Sequence, residues 1–289
     1  MRVAIIGTGN IGTDLLVKLL KISKFEIVGF VGRRPLSKWI PPGVKYFENG
    51  IDFFIQTQRC CDLVFDCTDA ASASEHARVF LEQDIFVVDM TPSKVGRLCV
   101  PSLNLVSLEN VKNVNMITCG GQASIPLIKY VSSRSVVSYV EVITQISSES
   151  AGMATRVNVD KYIETTENAI RLLADVPKCK VLLNVNPDPR TVMQTTVLFR
   201  TSEEVFDDFD EFVKSMRSYI PHYEVVSFPK YHNGILMVSV RIVGSGDHLS
   251  VYAGNLDIIN CAAIEVARQF SRLTKVKKQS NDYDRMIDI

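Results

Sequence analysis

No stretch of this sequence approaches the ~18 uninterrupted apolar residues that a membrane-spanning helix requires, so no span is expected. Neither sign of charge is in excess. Thirty-two basic residues balance 32 acidic ones, which leaves no global field to attract nucleic acid or an anionic membrane surface. Histidine is scarce: His76, His222, His232 and His248 are too dispersed to form a helical ligand pair, and no metal site is expected. Cys60, Cys61, Cys67, Cys99, Cys119, Cys179 and Cys261 lack regular short spacings, which excludes a disulfide framework or a zinc knuckle. A G-x-S-x-G elbow is absent too, so a serine hydrolase of that type has no support. The opening MRVAIIG has no secretion-signal layout, and the reducing cytoplasm is the expected compartment.

What is present is an alternation. Residues 2–7, 26–32, 61–68, 84–90 and 113–118 read as short buried strands, with helical spacing over 11–22 and 70–81. Strands alternating with helices imply parallel pairing through right-handed crossovers, hence a Rossmann-type doubly wound sheet. After Arg134 the texture changes. Residues 138–147 alternate apolar and polar, and further strands are expected at 180–186, 192–200, 223–228 and 235–243. Helices are expected over 158–173 and 206–219, which makes the second part α+β with a mostly antiparallel sheet. A long helix from about 251 returns toward the first part, and the mixed-charge tail after it reads as a frayed end. The expected domains are 1–118 with 253–289, and 119–252.

Gly7, Gly9 and Gly12 form G-x-G-x-x-G directly after the first strand, as a helix opens. Such glycines allow a tight turn and close approach of a pyrophosphate to helix N–H groups, so dinucleotide binding is expected. An acid at the end of the second strand would select NAD. Here VGRRP supplies Arg33 and Arg34 instead. They are either solvated surface residues or a clamp for the 2′-phosphate of NADP, and the reading leans to NADP.

Cys119 stands where the strand at 113–118 hands over to a helix, followed by Gly120 and Gly121. A helix start favours thiolate, and the two glycines could offer backbone N–H groups to a carbonyl oxygen. A thiolate beside a nicotinamide suggests attack on an aldehyde, hydride transfer, and a thioester left on the enzyme.

Those segments carry a resemblance. VAIIGTGNIGTDLL, NVNMITCGGQASIP, SAGMATRVNVD and YAGNLDI strongly resemble the acylating acetaldehyde dehydrogenases, collinearly over nearly the whole chain. The resemblance implies interconversion of an aldehyde and acyl-CoA with a nicotinamide cofactor and coenzyme A. It also implies a dimer-forming second sheet and, often, a 4-hydroxy-2-oxovalerate aldolase partner. It makes Cys119 the acyl-carrying residue and Thr8, Gly9, Asn10 and Ile11 the first cofactor loop. A second loop runs through Ser150, Ala151, Gly152, Met153, Ala154, Thr155, Arg156, Val157 and Asn158, and Asn255 lies near the nicotinamide.

The departures are specific. GRRP stands for the family's GIDP, AGMATR for AGPGTR, and MQTTV for MRDTV, so that Thr195 replaces an aspartate thought to assist the cysteine. Threonine cannot act as a carboxylate base; Asp188 is the nearest substitute in sequence. The segment between Tyr223 and Val240 is shorter than in the family. Two alternatives stay open: a phosphate-using semialdehyde dehydrogenase, with Arg156 as the candidate anion ligand, and a catalytically impaired partner of an aldolase.

Overall fold

The computed structural model describes residues 1–35, 40–105, 110–152, 155, 156, 158–202 and 206–287. In the first part, β1 (Arg2–Ile6), α1 (Asn10–Leu20), β2 (Glu26–Val31), β3 (Tyr46–Phe47), α2 (Asp52–Gln56) and β4 (Leu63–Asp66) are followed by α3 (Ala70–Glu82) and β5 (Phe86–Asp89). Then come β6 (Arg97–Leu98), α4 (Pro101–Asn104) and β7 (Asn113–Asn115). The sheet order is β3-β2-β1-β4-β5-β7-β6, with parallel pairing throughout. Side chains alternate across a strand, and β1 uses both faces. Val3 and Ile5 pack with Leu15, Leu16 and Leu19 of α1, while Ala4 and Ile6 pack with Phe53, Phe54 and Phe80. A strand buried on both faces reads as an unbroken apolar run, which is why β1 was plain in the sequence. β2 lies on one side of β1 and β4 on the other, so the strand order reverses there and opens a crevice at the carboxyl edge.

The second part begins with α5 (Cys119–Ser132) and β8 (Val137–Ser147), then α6 (Val159–Ala174), β9 (Cys179–Asn186) and β10 (Met193–Thr201). It ends with α7 (Phe209–Arg217), β11 (Tyr223–His232), β12 (Ile235–Ile242) and α8 (Gly254–Ile287). Its sheet runs β11-β12-β10-β8-β9. Three pairings are antiparallel, but β8 and β9 are parallel because α6 carries the chain across between them. One face buries Val140, Val142, Val197 and Phe199 against Ile125, Ile128 and Ile170 of the overlying helices. The opposite face stays accessible, with Leu182 and Val226 39% and 46% exposed. Asn233 and Gly234, both at positive φ, close β11 and β12 into a tight hairpin in the segment whose shortness the sequence shows.

The last helix differs from expectation at its far end. Its backbone stays helical to Ile287 where a frayed tail was expected, consistent with the good helix formers Lys, Gln, Arg and Met in that stretch. Among the described residues no helix is long and apolar enough to cross a membrane.

A buried ionic cluster ties α8 to α1. Lys18 Nζ lies 2.5 Å from Asp247, 2.6 Å from Asp257 and 3.7 Å from Asp14. Asn260 Nδ2 donates to Asp14 at 2.8 Å. Burial works to lower the Lys18 ionisation, but the hydrogen bonds to Asp247 and Asp257 outweigh it and hold the ammonium well above its usual range. Burial likewise works to raise Asp247, and Lys18 and Lys21 outweigh it, holding that carboxyl low. The signs follow by linkage. The Lys18 contribution is complete at neutral pH, whereas the Asp247 contribution is present above about pH 4 and fades as pH falls through its depressed value. Lys18→Met is therefore expected to cost about 3–5 kcal/mol in denaturant unfolding at pH 7. The deficit against the parent should narrow below about pH 4, and a deficit that stays constant there would contradict this account.

Candidate active site

The glycine turn after β1 is sterically required. Gly7 has φ +104°, and a Cβ there would sit 2.5 Å from the Cys67 carbonyl. A Cβ on Gly12 would sit 1.9 Å from the Gly7 carbonyl oxygen, so helix and turn close on each other. Gly9 faces open space and is the N-cap of α1, with no side-chain cap and no acid in the first turn. A helix start with no acid in its first turn favours an anion there. Thr8 lies against Gly32, and Ile11 accepts from Asn260 Nδ2 through its carbonyl at 3.2 Å. Asn10 opens the helix. This cradle fits a dinucleotide pyrophosphate.

At the end of β2, Arg33 and Arg34 are exposed. The Arg33 guanidinium lies 3.6 Å from the Asp69 carboxylate, and Tyr46 Oη donates to the Arg34 carbonyl. Burial works to raise Asp69, but the N–H and hydroxyl of Ser72 and the N–H of Ala71 hold it below its usual range, with Arg33 adding to them.

The other end of the site is built by the chain leaving β7. The Asn115 amide donates to Asp89 Oδ2 at 3.0 Å and to the Thr91 carbonyl at 2.8 Å. Its oxygen accepts from the Ile117 N–H at 2.9 Å. Ile117 has φ +64°, a left-handed conformation that β-branched residues rarely adopt. That turn delivers Thr118 as the cap of α5, where its hydroxyl accepts from Gly121 N–H at 2.9 Å and pairs with Thr166 Oγ1 at 2.7 Å. Burial raises Asp89 to about 6, against the lowering bonds from Ser93 and the Thr91 N–H.

Cys119 is then the first residue of α5, half-buried and touching both main cores. Its sulfur lies 3.9 Å from Tyr162 Oη. Tyr162 in turn accepts from Gly120 N–H at 3.1 Å, and the Thr144 hydroxyl behind it lies 3.1 Å from Thr195 Oγ1. Although the residue keeps some accessible surface, burial pushes the Cys119 thiol up to about 11. The Tyr162 hydroxyl and the N–H groups of Gly120 and Cys119 offset this only in part. The helix start does not ionise the sulfur in the resting protein, contrary to the sequence reading, because desolvation outweighs the dipole.

Gly120 and Gly121 also differ from expectation. Their N–H groups are engaged by Tyr162 and Thr118, not held ready for a substrate oxygen. The need for glycine is steric: a Cβ on Gly120 would meet Tyr162 Oη at 2.1 Å and Thr144 Oγ1 at 2.7 Å, and one on Gly121 would meet Ile117 Cγ2 at 2.8 Å.

In the second loop, Ser150 and Ala151 are buried and Gly152 faces open space. Met153, Ala154 and Val157 lie outside the described residues. Thr155 is half-buried, and the Asn158 carbonyl accepts the Tyr162 N–H at 2.8 Å as α6 begins. Arg156 braces the loop by donating to the carbonyls of Ala151 and Ser148, each at 3.0 Å, a use that competes with a role in binding phosphate. Asn255, on the first turn of α8, donates to the Ser150 carbonyl at 3.4 Å. Its Oδ1 is buried without a partner among the described residues. An orphaned acceptor of this kind fits an amide donor such as the carboxamide of a nicotinamide.

The structure thus brings Cys119 against Tyr162 and Asn255 against Ser150. The glycine turn and Cys119 lie at the same carboxyl edge, following β1 and β7. Asp188 is exposed in a turn and pairs with Arg190. Among the described residues no group of three or more His, Cys, Asp or Glu could hold a metal ion. Sequence reasoning missed Tyr162, Thr144 and Asn115. Tyr162 and Thr166 stand one helical turn apart on α6 and both face the start of α5, a signal visible only once α5 and α6 are known to pack.

Comparison with known proteins agrees with this architecture. Residues 119–250 match the family model "Prokaryotic acetaldehyde dehydrogenase, dimerisation", and residues 2–109 match "Semialdehyde dehydrogenase, NAD binding domain". The acetaldehyde dehydrogenase of Spirochaeta aurantia is 42% identical over 282 residues, covering 94% of this chain and 95% of that protein. The solved aspartate semialdehyde dehydrogenase II of Vibrio cholerae, complexed with ASA, aligns at TM-score 0.67 with 14% identity over 94% and 98% of the two chains. The solved aspartate semialdehyde dehydrogenase of Candida albicans with NADP aligns at TM-score 0.61 with 13% identity over 94% and 99% of the two chains. At such identities these two show the fold alone. With two-fifths of its residues shared along nearly the full length of a relative, the chain belongs to the acetaldehyde dehydrogenase family.

Proposed function

We propose that this protein is an acylating aldehyde dehydrogenase, interconverting an aldehyde and acyl-CoA through a thioester on Cys119. One observation carries the reading: a cysteine opens a helix at the same carboxyl sheet edge that presents the G-x-G-x-x-G turn, with the orphaned Asn255 acceptor beside the second loop. A nicotinamide bound there supplies the hydride acceptor or donor. The turn at Gly7–Gly12 and the N–H groups of α1 would hold its pyrophosphate, and Asn255 its carboxamide.

The remaining chemistry belongs to Cys119. In the oxidative direction its sulfur attacks the aldehyde carbon, losing the thiol proton, and the thiohemiacetal becomes a thioester as hydride leaves. The thiol of coenzyme A then displaces the acyl group and frees Cys119. The reverse sequence makes aldehyde from acyl-CoA, the direction that an NADPH-using enzyme favours. Arg33 and Arg34 support NADP over NAD, since paired guanidinium groups suit a phosphate monoester and no acid occupies the end of β2. The dinucleotide-binding domain is assigned to 1–118 with 253–289, and the catalytic and dimerisation domain to 119–252. The accessible face of the second sheet supports a homodimer. Family resemblance further suggests an aldolase of the 4-hydroxy-2-oxovalerate type as aldehyde source, and the seven free cysteines suit a reducing cytoplasm. Bracing of Arg156 by two carbonyls disfavours phosphate as the acyl acceptor.

Incubation with acyl-CoA is expected to leave one acyl group on Cys119, detectable by mass spectrometry, and Cys119→Ser should abolish both adduct and turnover. A folded, cofactor-binding protein that forms no adduct would overturn the reading. Separately, Arg34→Ala should raise KM for NADP(H) roughly tenfold or more while leaving NAD(H) within about twofold, as loss of a charge-assisted phosphate contact requires. Equal effects on the two cofactors would remove the NADP assignment.

A further inference from the structure

We propose that Tyr162, backed by Thr144 and Thr195, is the hydrogen-bond donor that steadies the Cys119 thiolate, an uncharged relay standing where a carboxylate base would otherwise be sought. The inference rests on the reading of Cys119 as nucleophile and adds a residue that neither the family match nor the sequence assigns.

The geometry is a file of hydroxyls. Cys119 Sγ lies 3.9 Å from Tyr162 Oη. Tyr162 Oη and Thr144 Oγ1 crowd the same space beside Gly120, each within 3 Å of where its Cβ would stand, and Thr144 Oγ1 is 3.1 Å from Thr195 Oγ1. Thr144 and Thr195 face each other across β8 and β10, both fully buried. Proton counting fixes the useful polarity. Each hydroxyl has one hydrogen to give. With Gly120 N–H already donating to Tyr162 Oη, the tyrosine keeps its own hydrogen for the sulfur. When Thr195 donates to Thr144, and Thr144 to Tyr162, every acceptor in the file is used and the last hydrogen points at Sγ.

The relay suits an enclosed sulfur. From α6 the only titratable group facing Sγ is Tyr162. β8 and β10 contribute the hydroxyls of Thr144 and Thr195, and the cap of α5 contributes Thr118. Among the described residues no charged side chain acts on the sulfur. An ionised carboxylate at position 195 would repel a thiolate while serving as its base; a hydroxyl donor stabilises the thiolate without that repulsion. Burial and the neighbouring sulfur hold the phenol of Tyr162 well above its ordinary range, so it stays neutral and toward the sulfur acts as a donor. It takes no proton. The thiol proton therefore leaves to solvent, and reactivity should follow the ionisation of Cys119 itself.

The test is the pH dependence of Cys119 alkylation by iodoacetamide, read on the Cys119 peptide by mass spectrometry, since seven thiols compete. The wild-type rate should rise with a single alkaline midpoint. Tyr162→Phe should move that midpoint up by about one pH unit, lowering the rate at pH 8 roughly tenfold. Thr195→Val should shift it in the same direction by less, and Thr195→Ser should restore the wild-type curve. Unchanged NADPH binding certifies that a variant is folded, and if Tyr162→Phe fails that check the Thr195 pair decides. A wild-type midpoint in folded Tyr162→Phe, or in Thr195→Val, overturns the relay. Alkylation requires neither aldehyde nor coenzyme A. A shifted midpoint without an acyl adduct would keep the relay and remove the dehydrogenase reading, and an adduct with an unshifted midpoint would do the reverse.

Discussion

The site depends on the backbone of one residue, Ile117. A β-branched side chain in the left-handed region costs roughly 1–3 kcal/mol, and the surroundings must impose it. They do so through Asn115, whose oxygen takes the Ile117 N–H while its amide is held by Asp89 and the Thr91 carbonyl. The anchor on β5 therefore sets the direction in which the chain leaves β7. Had Ile117 continued extended, Thr118 would not cap α5 and Cys119 would not open it. The Gly121 position follows from the same turn, since any Cβ there would strike the Ile117 side chain.

Two effects compete at the sulfur, and their sizes decide the outcome. A helix N-terminus offers an anion about 0.3–1 kcal/mol in exposed settings and up to about 2 kcal/mol when partly buried. Desolvation can displace an ionisation by as much as about 3–5 units, at about 1.4 kcal/mol each. With Cys119 set between two apolar cores, desolvation wins and the thiol rests near 11. At neutral pH the resting sulfur is then held as the thiol. Such a nucleophile is protected from casual oxidation, because reactivity follows thiolate character, and it needs every local donor that can reach it.

How much of this was legible in the sequence follows from the range of each interaction. β1, the glycine turn and α1 are local and contiguous, and their residues announced themselves by period and by glycine spacing. The same holds for Cys119 at a strand-to-helix corner. What could not be read is what arrives from elsewhere in the chain. Tyr162 reaches Cys119 across 43 positions and Thr195 reaches Thr144 across 51, so no window of sequence contains either pair. The glycines after Cys119 were read as room for a ligand because their true occupants, Tyr162 and Thr144, come from α6 and β8. The parallel pairing of β8 with β9 was hidden for a similar reason: alternation marks a half-buried strand but not the direction of its neighbour.

The returning helix shows how stability and function share residues. Asn255 and Asp257 stand two positions apart at the start of α8. Asp257 is gripped by Lys18 of α1, and Asn255 holds the carbonyl of Ser150 at the second loop. The charge cluster that docks α8 onto α1 thereby also fixes where Asn255 presents its unsatisfied oxygen. α1 is the helix that opens directly from the glycine turn. Both candidate ends of a dinucleotide site are referred to one rigid pair of helices, while Cys119 is referred to β5 and β7 through Asn115. The parallel sheet joins these two references, since β1 and β7 stand in it with only β4 and β5 between them.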